Sequence, residues 1–180
     1  MKPRLLEKYR KEFIPAIQTK FSIKNAMAVP RLEKIVVNMG VGEAISDQKI
    51  LERAVDDMTT ITGQKPVVCR AKKAISNFKL RIGLPVGCMV TLRHYKMYEF
   101  LDRLINFTLP RIRDFNGVSP KSFDKEGNYS FGLADQAIFP EIDTGRLQHT
   151  LGMDVTFVFN HGPREHTQEL LRLLGMPFSR

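Results

Sequence analysis

Cysteine is scarce in this chain of 180 residues, which has only Cys69 and Cys88. Two thiols do not make a disulfide framework. A reduced, cytoplasmic setting is expected, with both side chains read as small apolar groups of the interior. Glycine and proline are also few, at 12 and 10, which excludes a collagen-like or low-complexity chain. No stretch approaches the roughly 20 uninterrupted apolar residues of a membrane-spanning helix. Lys2, Arg4, Lys8, Arg10 and Lys11 are not followed by an apolar segment, so neither a secretory signal nor a membrane partner is expected.

Chemistry-bearing patterns are missing as well. Gly40-Val41-Gly42 follows a strand pattern but lacks the third glycine of a dinucleotide turn and the Gly-Lys-Ser/Thr ending of a phosphate loop. His94, His149, His161 and His166 have no matching cysteine pair, so no zinc site is expected. No serine stands in a nucleophile elbow. Asp56-Asp57 and Glu141/Asp143 read as a solvated helix face and a turn, not as a catalytic carboxylate pair. The expectation is a non-enzyme with no cofactor and no metal.

The most telling absence is of negative charge. The chain carries 28 Lys+Arg against 19 Asp+Glu, a net charge of +9. Apolar residues make up 43%, so this is a folded chain and not a basic tail. Residues 70–96 hold seven cations and no acid, giving +7, whereas residues 127–180 stand at −2. A merely solvated surface interleaves its signs. Charge concentrated in this way points to a polyanion, above all nucleic acid, and leaves the acidic C-terminal part for a different partner, a protein.

Periodicity supplies the frame. Leu6, Tyr9, Phe13 and Ile17, widened by Leu5 and Ile14, predict an amphipathic helix over 2–20. The β-branched run 34–40 predicts a strand with Ile35, Val37 and Met39 on one face. Ser46 or Asp47 can cap a helix running to about residue 62, with Gly63 closing it. A short strand at 65–70 follows, where Pro66 favours either a sheet edge or a strand start, then a basic connection at 71–85. In the strand 86–93, Val86, Cys88, Val90 and Leu92 form an apolar face. A helix at 95–108, strands at 129–133 and 153–159, and a helix from Pro163 as its first residue to Gly175 complete the order. These elements predict one α+β domain over 1–180 with an extended basic loop at 71–85. Its sheet is mostly antiparallel, with helices on one face and the other face open to RNA. Asn38, Thr91 and Arg93, with small Gly40 and Gly87, belong to the open face.

The basic loop interleaves Arg70, Lys72, Lys73, Lys79 and Arg81 with Ser76, Asn77 and Phe78. The cations can neutralise phosphates, and the small polar groups can bond phosphate or ribose oxygens. Phe78 reads either as a stacking platform for a base or as an anchor packing the loop onto the domain.

At this point the strings resemble a family. Lys34-Ile35-Val36-Val37-Asn38-Met39-Gly40-Val41-Gly42-Glu43 is similar to the first-strand signature of the bacterial 5S-rRNA-binding protein of the large ribosomal subunit, the fifth in that subunit's numbering. So are Thr62-Gly63-Gln64-Lys65-Pro66-Val67, Ala71-Lys72-Lys73 through Phe78-Lys79-Leu80-Arg81, Phe139-Pro140-Glu141-Ile142-Asp143 and the terminal Glu169-Leu170-Leu171-Arg172-Leu173-Leu174-Gly175-Met176-Pro177-Phe178. The likeness covers essentially the whole chain.

The resemblance implies a ribosome-bound, cytoplasmic protein of the central protuberance, a monomer off the ribosome, that helps attach 5S rRNA to 23S rRNA. It implies 5S rRNA contacts by Asn38, Gln64, Lys65, Thr91 and Arg93, with Gly40 and Gly42 permitting close approach. It also implies that Arg70, Lys72, Lys73, Ser76, Asn77, Phe78, Lys79 and Arg81 reach 23S rRNA and peptidyl-site tRNA. Residues 112–115 and 139–143 would face a small-subunit protein across an intersubunit bridge. The chain departs from the family pattern at Met89, where a lysine is expected, at Ile82, where an acid is expected, and over 160–166.

Overall fold

The first helical run shows how the chain handles a proline inside an amphipathic pattern. In this computed structural model, α1 (Arg4–Lys8) passes through a π turn (Tyr9–Phe13) into α2 (Ile14–Phe21). Pro15 has no N–H, and its ring crowds the carbonyl four residues back. The Ile14 N–H bonds instead to the Tyr9 carbonyl, one residue further. The buried stripe is Leu5, Tyr9, Phe13 and Ile17, so Leu5, not Leu6, begins it. Steps of four overshoot the α-helical repeat of about 3.6, and the wider turn takes up the excess. The same device recurs downstream. α4 (His94–Arg103) ends in a π turn (Leu104–Thr108), and the Leu109 N–H reaches the Leu104 carbonyl just before Pro110.

The structure describes residues 2–45, 47–143, 145, 149–160 and 162–179; the alternative cap Ser46 and His161 lie outside the described residues. The strands are β1 (Leu32–Gly40), β2 (Val67–Arg70), β3 (Pro85–Leu92), β4 (Tyr129–Leu133) and β5 (Met153–Phe159). They form one antiparallel sheet in the order β2-β3-β1-β5-β4. Val68 pairs with Cys88 and Cys69 with Gly87, and the register slips between Cys69 and Arg70. β2 lies at the sheet edge, and Pro66 stands just before its first residue.

The chain divides into two compact units. The first comprises Met1–Ile35, Leu92–Phe131 and Thr156–Arg180. Here α1 packs on α4, and α2 packs on α5 (Arg164–Leu173). The core holds Phe100, Leu101, Tyr129, Phe157, Leu170 and Leu171. Tyr129 donates its hydroxyl to the Ser119 carbonyl at 2.8 Å. Pro163 stands one place earlier than the sequence implies, at the N-cap, and offers its carbonyl to the His166 and Thr167 N–H groups. α5 closes on a Schellman turn, with Gly175 at φ +99 and the Met176 N–H bonded to the Leu171 carbonyl.

The second unit comprises Val36–Thr91 and Gly132–Val155. α3 (Gln48–Thr62) starts at Asp47, whose carboxylate accepts the Lys49 N–H at 2.9 Å. It ends at Gly63, in the left-handed region at φ +65. Its buried face, Leu51, Ala54, Met58 and Ile61, shares a core with Val37, Met39, Cys88, Val90 and Val155. Burial pushes the Cys88 thiol up to about 11, with Cys69 and Asp57 adding to the shift, so it stays protonated and inert.

Candidate nucleic-acid interface

All the predicted contact residues except Arg93 lie within the second unit, between Val36 and Thr91. Strand alternation sorts them. Ile35, Val37 and Met39 are fully buried, while Val36 and Asn38 are half-buried and Gly40 is exposed. On β3, Cys88 and Val90 are buried, Met89 is exposed and Thr91 is half-buried. Among the described residues, no hydrogen bond engages the Asn38 amide or the Thr91 hydroxyl. Both groups stand ready for an outside partner.

Gln64 has an internal task. Its Nε2 donates to the Thr91 carbonyl at 3.3 Å, tying the turn after α3 to the end of β3. Lys65 beside it is exposed.

The glycines divide by role. A Cβ on Gly40 or Gly42 would meet nothing within 4 Å. The protein's own packing therefore does not demand glycine there, and the open space suits close approach by another molecule. Gly87 is different. It is buried, and a Cβ there would lie 2.4 Å from the Met39 carbonyl oxygen. The sequence places Gly87 on the open face as a small residue; in the fold it is needed for the contact between β1 and β3.

The basic connection is a hairpin. At its base the Ala71 N–H bonds to the Leu84 carbonyl and the Gly83 N–H to the Ala71 carbonyl, at 2.8 and 2.9 Å. Arg70 Nη1 donates to the Gly83 carbonyl at 3.0 Å. At its tip Ile75 and Leu80 exchange both backbone hydrogen bonds at 3.0 Å. A short turn (Ser76–Phe78) sits between them, with Lys79 at φ +53. Phe78 is 68% exposed, so it is not an anchor that packs the loop back. Lys72, Lys73, Lys79 and Arg81 are exposed or partly so and have no carboxylate partner among the described residues. Ile82 is 73% exposed beside them.

Two features escaped the sequence reading. Val67 and Met89 are register partners and both are exposed, giving the sheet edge an apolar patch. Strand alternation could have shown this, because both stand on the face opposite Cys88. The acids 56, 57, 141 and 143 also do more than face solvent. They line one cavity of about 460 Å³ with Arg53 and His149. Buried Gln136 shapes this region by donating to the His149 carbonyl at 2.9 Å and accepting the Leu151 N–H at 2.5 Å. Burial raises the Asp57 carboxyl above its ordinary value; a hydrogen bond from Gln136 opposes this and the Asp56 charge reinforces it. Among the described residues, no group of three or more His, Cys, Asp or Glu is arranged to hold a metal ion.

Arg93 stands in the first unit. It pairs with Glu33, Nη1 to Oε1, at 3.1 Å.

The second unit thus sets two polar side chains with no bond among the described residues, Asn38 and Thr91, beside a cationic hairpin that carries no acid. Residues 25–81 match the model described as Ribosomal protein L5, and residues 85–178 match the one described as ribosomal L5P family C-terminus. Three curated relatives, each named large ribosomal subunit protein uL5, align along nearly the whole chain. The protein of Clostridium acetobutylicum is 59% identical over 179 residues, covering 99% of both chains. That of Clostridium tetani is 58% identical with the same coverage. That of Clostridium botulinum strain Loch Maree is 57% identical over 180 residues, all of both chains. This chain belongs to the ribosomal protein L5 family. It is a ribosome-bound structural protein of the bacterial cytoplasm and not an enzyme.

Proposed function

We propose that this chain acts as one ribosomal-protein domain that binds 5S rRNA and helps attach it to 23S rRNA in the central protuberance of the large subunit. Asn38, Gln64, Lys65, Thr91 and Arg93 make the 5S contacts, and Gly40 and Gly42 admit the RNA backbone. The hairpin carries Arg70, Lys72, Lys73, Ser76, Asn77, Phe78, Lys79 and Arg81 to 23S rRNA and peptidyl-site tRNA. The observation that carries this reading is the hairpin itself, held by backbone hydrogen bonds while it holds Phe78 and its cations in solvent. The acid-lined cavity that includes Glu141 and Asp143 supports a basic small-subunit protein as the partner of residues 139–143, and residues 112–115 are assigned to the same bridge.

Filter binding to 5S rRNA at several salt concentrations tests this, with an unrelated RNA of equal length as control. Preference for 5S rRNA is expected. Equal affinity for both RNAs would leave a general nucleic-acid binder instead. N38A and T91A should each weaken 5S binding by about 1–3 kcal/mol, because a buried partner loses its hydrogen bond, with little change in salt slope. Wild-type affinity in both variants refutes their assignment.

A further inference from the structure

The first unit holds a cavity of about 420 Å³ of which this reading uses only Arg93. Its wall draws on three separate parts of the chain. Arg10 comes from the π turn, Arg31 and Glu33 from the entry to β1, and Arg93 from the approach to α4. Three guanidinium groups thus line one space with one carboxylate, and that carboxylate is already committed to Arg93. Arg10 and Arg31 have no carboxylate partner among the described residues.

Tyr98 adds a donor. It is 4% exposed and lines the cavity, and among the described residues nothing hydrogen-bonds its hydroxyl. Tyr9 makes a contrast, since its hydroxyl is spent on the Pro30 carbonyl at 3.1 Å. Burial pushes the Tyr98 hydroxyl up to about 12, reinforced by Tyr9 and opposed by Arg31 and Arg10, so it remains a neutral donor. The cavity also meets the positive end of a ten-residue helix. α4 begins at His94, which lines the space, and Arg93 at the N-cap makes no side-chain capping bond. Tyr95 lines it too and is 53% exposed, an aromatic face next to the cations.

Forked guanidinium groups, a neutral hydroxyl and an uncapped helix start are the donors that a phosphate's oxygens accept. We infer that this cavity holds a backbone phosphate of the bound RNA, with Tyr95 stacking on the adjoining base. The inference rests on the RNA-binding reading and adds Arg10, Arg31, Tyr95 and Tyr98 to it.

The test is binding of the full-length protein to 5S rRNA and to an unrelated RNA of equal length across a salt series. Wild type is compared with R10Q, R31Q and Y98F. Each glutamine variant should lose affinity about tenfold and flatten the log–log salt slope by about 0.7–0.9. Y98F should lose affinity with its slope intact. Wild-type affinity and slope in both R10Q and R31Q, at unchanged melting temperature, overturns the proposal. A loss of equal size on both RNAs upholds the cavity and refutes only the 5S preference. If a glutamine variant melts early, the lysine variant replaces it; R10K or R31K should keep the slope and lose affinity, and full affinity in both overturns the proposal. The source of the phosphate is read by NMR, following the His94 and Tyr95 amide signals against inorganic phosphate and adenosine monophosphate. Shifts with these probes, together with wild-type RNA slopes in the glutamine variants, would mean a free-anion pocket and overturn RNA as the occupant.

Discussion

Gly87 and His94 show how much single backbone positions decide. A methyl group at residue 87 would collide with the Met39 carbonyl oxygen at 2.4 Å, and backbone cannot give way as a flexible side chain can. G87A should therefore destabilise the fold by about 1–3 kcal/mol or more through overpacking, measured by urea unfolding. Stability equal to wild type would mean that β1 and β3 separate at little cost. His94 opens α4 at φ +53, a left-handed conformation that costs a non-glycine residue energy. H94G should stabilise by about 0.5–1 kcal/mol; a lower melting temperature in H94G would show that its side chain contributes more than the strain removes. The alternation of Val86, Cys88, Val90 and Leu92 reveals from the sequence alone that Gly87 belongs to a strand. It does not reveal the contact that makes glycine necessary there, because the contact depends on how closely another strand approaches. His94 carries no local signal either, since its strain is imposed by the corner between β3 and α4.

At the scale of elements, the periodic stretches were legible and the irregular ones were not. α3 and its Gly63 terminator follow from side-chain spacing and local hydrogen bonding, whereas spacing alone leaves Ser46 and Asp47 both open as the cap. The two π turns follow from Pro15 and Pro110 only once the helix is known to continue past them. The hairpin at 71–85 has no apolar alternation. Its composition gave its charge and its chemistry, but its order comes from backbone rungs that close the loop on itself, between Ala71 and Leu84 and between Ile75 and Leu80. Its side chains should separate experimentally into two kinds. F78A should cost about 1–3 kcal/mol of affinity for the loop's RNA target by losing a stacking face, with the salt slope and melting temperature unchanged because Phe78 packs against so little of the protein. K72A should instead flatten the log–log slope by about one unit on duplex RNA. Identical salt behaviour in the two variants would contradict this division.

The whole molecule carries its charge unevenly, and the acidic side of that imbalance has its own pH signature. Burial holds the Asp57 carboxyl above its ordinary value. Its contribution to stability is therefore fully present below the ordinary carboxylate range and is lost as the pH rises through the raised value. D57N should match or exceed the wild-type melting temperature at pH 7 and lose that advantage under acid. A variant less stable than wild type at pH 7 would mean that the charged form is the one the cavity favours. The net charge of +9 pointed to a polyanion from the sequence alone. The gathering of residues 56, 57, 141 and 143 around one cavity needed the fold, because they are far apart in the chain. The closed rungs of the hairpin also bear on association. Ordering a slack loop costs about 1–2 kcal/mol for each residue fixed, and a loop that ordered only on its target would lose that much from its affinity. Here the rungs at residues 71, 75, 80 and 83 already hold their share of the loop in place. That entropy is spent during folding, so less of the contact energy is consumed when the nucleic acid arrives.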